Sequence, residues 1–168
     1  MRRPRLFPLL ALPLLAAACG APPPQKLGVA PPFELRDLGG GTLSLAALKG
    51  KVVVLDFWAT WCGPCLQEIP DYAEFWRRNA PRGVEVIGVV FESGEPKEIQ
   101  DFVVERRIPY RQLLGDEKLQ DAYDANHGFP TTFVIDADGN IKRRILGANP
   151  DKFRILQSAV DEALSRRS

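Results

Sequence analysis

Cysteine is scarce, with three among 168 residues. A fold stapled by disulfides needs more of them, spread along the chain. Two of the three are Cys62 and Cys65, and a bridge across their two-residue spacer would close too small a loop to hold a fold. Histidine is scarcer still, with His127 alone, so a zinc site built on the cysteine pair would lack its remaining ligands. No metal is expected, and His127 reads as a solvated loop residue. A charge excess is also missing: 22 basic residues face 21 acidic ones, which leaves no electrostatic footprint for nucleic acid. No apolar run reaches the length of about 20 residues that a spanning helix needs. What remains is an ordinary globular balance, 45% apolar and 26% charged, on a chain long enough for one domain with an adequate core. A monomer is expected.

The N-terminus does not pattern as part of that domain. Arg2, Arg3 and Arg5 precede an apolar run from Leu6 to Ala18, interrupted by Pro8 and Pro13. Two prolines would break a core helix. A positive start followed by a short apolar run is the pattern of a secretory signal peptide, to which residues 1–18 are assigned. Leu15-Ala16-Ala17-Ala18-Cys19 is similar to a bacterial lipoprotein box, in which the cysteine receives a lipid and becomes the first residue. Here Ala16 stands where leucine is usual, and Ala16-Ala17-Ala18 also suits an ordinary signal peptidase, which would leave Cys19 a free thiol. Lipidation is the favoured reading, because an unpaired exported cysteine is otherwise odd. Residues 19–32, rich in proline, read as an extended linker between a membrane and the body. Residues 33–168 make the domain.

Within the domain, strand and helix patterns alternate, which argues an α/β sheet. Phe33 to Leu38 and Thr42 to Leu45 flank Gly39-Gly40-Gly41 as a hairpin, and Ser44 is placed to cap a short turn. Val52 to Phe57 and Gly83 to Phe91 read as buried strands. Between them a helix is expected from the cysteines to Asn79, kinked at Pro70, with Leu66, Ile69, Ala73 and Trp76 inward. Lys97 to Arg107 predicts a helix with Ile99, Phe102, Val103 and the stem of Arg106 on its inner face. Ile108 to Leu114 predicts a short strand, and Asp116 caps a helix from Glu117 to Tyr123. Pro130 opens a further strand. Asp136 to Asn140 turns it back as Ile141 to Leu146, an edge strand carrying Lys142, Arg143 and Arg144. A last helix runs to Arg166, capped by Asn149 or Asp151, with Phe153, Leu156, Val160 and Leu164 inward.

The reactive stretch is Trp58-Ala59-Thr60-Trp61-Cys62-Gly63-Pro64-Cys65, where a strand ends and a helix begins. A helix N-terminus carries unpaired N–H groups and about half a positive charge, which favours a thiolate, the reactive form of cysteine. Cys62, at the helix start on the solvent side, is expected to attack a disulfide; Cys65, one turn inward, is expected to displace the partner. Pro64 stiffens the turn between them, and Gly63 leaves room for a partner's backbone. The buried thiol of Cys65 needs a proton acceptor. Asp56 lies inside an apolar strand, where a carboxylate is costly without a partner. Glu68 lies three residues after Cys65 on the same helix face. Either acid can serve.

Val52 to Pro70 resembles the active-site segment of the thioredoxin superfamily. The leader, the hairpin and Glu68 place the resemblance, which covers roughly Pro31 to Leu164, with the exported, membrane-tethered thiol-disulfide reductases of the TlpA and ResA kind. The resemblance implies a thioredoxin-like fold: a mixed sheet flanked by helices, with an N-terminal hairpin and a central helix–strand insertion. It implies a thiol-disulfide oxidoreductase acting mainly as a reductase on exported protein disulfides, with cytochrome c maturation as one setting. The redox-active pair Cys62–Cys65 is its only redox group, a membrane thiol carrier its electron donor and the cell envelope its location. Cys62 is then the nucleophile, Cys65 resolves, and Glu68 matches the active-site glutamate of that branch. Asp56 departs from the branch, which often has asparagine there. Pro130 is the cis-proline facing the cysteines, and Trp61, Gly63, Pro64, Phe129 and Pro130 form the partner-binding surface. Two alternatives use the same fold. A peroxiredoxin-like peroxidase needs threonine three residues before its cysteine, where Ala59 stands. A copper-binding assembly factor wants a wider cysteine spacing and a nearby histidine.

Overall fold

The computed structural model describes residues 27–166; the leader and Cys19 lie outside the described residues. A hairpin comes first, β1 (Glu34–Arg36) and β2 (Thr42–Ser44). There follow β3 (Val52–Trp58), α1 (Gly63–Asn79), β4 (Val84–Val90) and α2 (Pro96–Glu105). The chain continues as β5 (Arg111–Leu114), α3 (Glu117–Ala122), β6 (Thr131–Ile135), β7 (Ile141–Leu146) and α4 (Lys152–Ser165). Five strands form one mixed sheet in the order β5-β4-β3-β6-β7. The central strand β3 runs parallel to β4 and antiparallel to β6.

Every residue of β3 is buried because both faces of the sheet are covered. Alternation along the strand sends Val53, Leu55 and Phe57 into a core shared with Phe33, Leu35 and Leu43 of the hairpin and with Leu119 of α3. Val52, Val54 and Trp58 enter a second core, with Tyr72 and Phe75 of α1, Ile99 of α2 and Leu156 and Val160 of α4. The same alternation puts Asp56 on this second face, the one that also takes Cys62 and Cys65. Its register partner on β4 is Gly88. A Cβ there would lie 2.2 Å from Oε1 of Gln112, the atom that accepts the indole N–H of Trp58 at 3.0 Å. Glycine is what lets that buried bond form.

Five expectations change. The body begins at least at Leu27 rather than at Phe33. Ile141 N–H donates to Gly28 O at 2.9 Å, Ala30 N–H to Gly139 O at 2.8 Å, and the Tyr123 hydroxyl to Pro31 O at 2.9 Å. Prolines exclude a helix or an inner strand here, but an extended segment can still dock. On α1 Ile69 and Ala73 are buried as expected, but the deepest residues are Phe75, Asn79 and Tyr72, while Leu66 and Trp76 are only half-buried. The helix runs on through Pro70 to Asn79, as expected. Arg106 is exposed, and its guanidinium lies over the outside of the Phe102 ring at 5.1 Å. On the edge strand β7 the basic residues are half-buried rather than fully solvated; Arg144 pairs with Asp124 at 3.0 Å and lies over the Phe133 ring. Asp151 stands at the N-cap of α4 but makes no side-chain cap bond, and Asn149 Oδ1 instead accepts from Asp151 N–H at 2.8 Å.

Candidate active site

Three elements converge on the cysteines. The end of β3 delivers the chain to Cys62, which is the N-cap residue of α1, with Gly63 and Pro64 in the first helical turn. Proline suits that position because its missing N–H would have had no partner there. The Cys62 Sγ accepts the N–H of Cys65 at 3.3 Å, so the sulfur takes the place of a capping oxygen. The two sulfurs are bonded to each other, 1.98 Å apart. Cys62 is scarcely more exposed than Cys65 in this oxidised state, 5% against 4%, because the bond holds both in one apolar cluster.

The loop after β4 supports the approach to the pair. Thr60 N–H donates to the Ser93 hydroxyl at 2.9 Å, and the Trp61 indole N–H donates to Glu92 O at 2.8 Å. Trp61 is thereby fixed while remaining 61% exposed. Its ring lies 5.9 Å from that of Phe129, which stacks on Phe91 at 5.4 Å. The Phe129–Pro130 peptide bond is cis. Gly147 N–H donates to Pro130 O at 2.8 Å, so β7 holds the turn from behind. Gly63 and Pro64 lie exposed between the two cysteines, Phe129 packs half-buried against the cluster that holds both of them, and Pro130 is buried. A Cβ at Gly115 would lie 2.5 Å from the Phe91 ring, so this aromatic stack needs glycine at that position.

Both candidate acids are buried, Asp56 at 4% and Glu68 at 8% exposure, and one cation serves both. The Lys152 ammonium lies 2.6 Å from Glu68 Oε2 and 3.9 Å from Asp56 Oδ1, with no exposed surface of its own. Asp56 Oδ1 also accepts the hydroxyls of Tyr72 and Thr132, each at 2.9 Å. Burial pushes the Asp56 carboxyl above its ordinary range, while Lys152, Thr132 and Tyr72 pull it back in part. Burial likewise raises Glu68, opposed by its bond to Lys152 and reinforced by Asp56 and Asp71. The phenol of Tyr72 is held well above its ordinary value by burial and by Asp56, so it keeps its proton.

Sequence patterns had pointed to Asp56 and Glu68 but not to Lys152, Tyr72 or Thr132. A signal existed for the lysine: Lys152, Leu156 and Val160 recur four residues apart, which is the buried stripe of α4. No signal marked Glu92 or Ser93, whose part depends on a backbone carbonyl and a loop crossing. His127 is exposed in its loop with Asp124 at 3.5 Å, and among the described residues no three His, Cys, Asp or Glu side chains are grouped to hold a metal.

A disulfide held at a helix N-terminus, beside an exposed aromatic surface, can exchange two electrons with another dithiol or disulfide. The fold that presents it here is that of the thioredoxin-like thiol-disulfide oxidoreductases. The chain belongs to the AhpC/TSA family, whose model matches residues 28–144. It is 37% identical over 120 residues to the thiol-disulfide oxidoreductase ResA of Bacillus subtilis, covering 70% of this chain and 65% of the relative. It is 34% identical over 119 residues to the ResA of Bacillus cereus, covering 70% of this chain and 68% of the relative. The crystal structure of a thiol:disulfide interchange protein of the thioredoxin family from Chlorobium tepidum superposes with a TM-score of 0.71 at 30% identity, covering 86% of this chain and 99% of that one.

Proposed function

We propose that this chain is a disulfide reductase of the bacterial cell envelope, held at a membrane by a lipid on Cys19 and acting on the disulfides of exported proteins. The observation that carries the reaction is the Cys62–Cys65 disulfide at the N-cap of α1, bordered by Trp61 and Phe129. In the reduced enzyme the Cys62 thiolate attacks one sulfur of a partner disulfide and expels the other as a thiolate. The Cys65 thiol gives up its proton to the Asp56–Glu68 pair, and its thiolate attacks Cys62. The Cys62–partner bond breaks, the Cys62–Cys65 bond forms, and the partner leaves reduced by two electrons. A membrane thiol carrier then restores the dithiol. The cysteine pair is the whole redox group in this reading, with no further cofactor. Apocytochrome c cysteines are one fitting substrate.

Cys65→Ala is expected to hold its substrate on Cys62 as a mixed disulfide that mass spectrometry identifies from envelope extracts. Equal capture by Cys62→Ala would reverse the assigned roles. The leader pattern and the motif at Cys19 support the location. Among the described residues no helix is long and apolar enough to cross a membrane. Radiolabelled palmitate is expected to enter the wild-type chain and not Cys19→Ala; equal labelling of the two would sink the lipid assignment.

A further inference from the structure

We propose that Lys152, the first residue of α4, is a positioning residue for the exchange reaction: it fixes Glu68 as a lasting anion and leaves Asp56 as the acid that stores and returns the proton. The inference rests on the exchange reading above and divides the work of its two acids.

The division follows from geometry. Lys152 is fully buried, and its 2.6 Å contact with Glu68 Oε2 is a charge-assisted hydrogen bond. At 3.9 Å, Asp56 Oδ1 is beyond hydrogen-bond reach but within range of the charge. Two ionised acids and one cation leave a net negative charge in the core, so one proton neutralises the group. Protonating Glu68 would forfeit its ion pair with the ammonium. Protonating Asp56 forfeits much less. The Tyr72 hydroxyl lies 2.8 Å from the Thr132 hydroxyl, and both lie 2.9 Å from Asp56 Oδ1, so the three oxygens form a triangle. With Asp56 ionised, the two hydroxyls supply two hydrogens for three edges. A proton on Asp56 Oδ1 supplies the third and closes the ring. The triangle accepts either state, whereas the Glu68–Lys152 pair accepts only one.

The titratable and charged groups around the Asp56–Glu68–Lys152 cluster come from β3, α1 and the segment before β5. They are Asp56 of β3, Glu68, Asp71 and Tyr72 of α1, and Tyr110 before β5; Thr132 of β6 adds a neutral hydroxyl. Both phenols stay protonated through neutral pH because burial, with the two acids, holds them above their ordinary range. In the resolving step the Asp56 carboxylate takes the proton of the Cys65 thiol. When a donor dithiol later reduces the Cys62–Cys65 bond, that proton returns to the Cys65 sulfur.

The test reads the acids directly. Carbon-13 NMR of the side-chain carboxyls in the oxidised protein is expected to show Asp56 titrating at higher pH than Glu68. In Lys152→Met both midpoints should rise, Glu68 by more than about one unit, a tenfold change in proton affinity. The pH profile of mixed-disulfide resolution should move to higher pH by a similar amount. Lys152→Arg, which restores the charge, and Lys152→Met/Glu68→Gln, which removes the buried pair together, should both return the profile toward wild type; a lysine needed only for packing would give no such rescue. Glu68 titrating above Asp56 in the wild type would overturn the inference, as would a Lys152→Met profile that superimposes on wild type. The wild-type titration order and the double variant decide the matter even where the single variant does not fold. No substrate enters the NMR titration, so its failure is distinct from a failure of the Cys65→Ala trap.

Discussion

Cys62→Ser is expected to lower disulfide-reductase turnover by at least ~10³-fold, while Cys65→Ser leaves the first attack intact and stops the cycle after one event. Serine is the informative replacement. Cys62 Sγ accepts the N–H of Cys65 as an N-cap, and a serine oxygen fills that role at least as well. The helix is therefore preserved and the loss is chemical. The two thiols are not equivalent once reduced. Cys62 faces the unpaired N–H groups and positive end of a 17-residue helix, which stabilise a thiolate. Cys65 lies inside the first turn, buried in an apolar cluster where a thiolate is costly, so its proton must be taken from it. Pre-steady-state reduction of a fluorescent disulfide, with dithiothreitol as the donor, separates the two steps. A Cys62→Ser enzyme that kept a tenth of its turnover would show that the nucleophile lies elsewhere. A Cys65→Ser enzyme without a burst would show that Cys65 attacks first.

The sheet, its helices and the cysteine corner were legible because their signals are local. Val52 to Trp58 has one polar residue in a run buried on both faces, and the cysteine spacing with Gly63-Pro64 speaks for itself. Asp116, as the cap of α3, was equally local. The α1 stripe is legible only in part: Ile69 and Ala73 are buried as their spacing implies, but the inner face also passes through Glu68, Asn79 and the hydroxyl end of Tyr72. Polarity there disguises burial. Lys152 was missed for the same reason in sharper form: a cation at the buried position of a helix looks like surface until its two carboxylates are brought to it from β3 and α1. Residues 27–32 read as linker because an extended segment held by single hydrogen bonds to Ile141, Gly139 and Tyr123 has no periodicity to read. What escaped was long-range polar pairing, in which each member makes sense only beside the others.

The same pairing makes opposite stability effects expected from two neighbouring substitutions. Lys152→Met should destabilise the protein by about 3 kcal/mol at neutral pH, near the lower end for breaking a buried pair because the Glu68 side chain keeps 11% exposure. Methionine fills most of the lysine's volume, so the loss is electrostatic and should shrink toward pH 4, where Glu68 can be neutral in the folded state. Asp56→Asn should instead stabilise by about 1–3 kcal/mol at neutral pH, since it removes a buried charge and leaves Lys152 paired with Glu68. The sign follows from linkage. Burial raises the folded pKa of Asp56 above its ordinary value of 3.8, so between the two values the folded state binds more protons than the unfolded one. Stability therefore falls as pH rises through that window, and the full cost is present above it. Asparagine removes this part of the slope, and Glu68, raised in the same direction, keeps its own. Urea denaturation of the oxidised proteins from pH 4 to 8 measures all three curves. A Lys152→Met deficit constant across pH would mean that the lysine only fills space. An Asp56→Asn protein less stable than wild type at pH 8 would mean that the Tyr72–Thr132 triangle repays the buried charge in full.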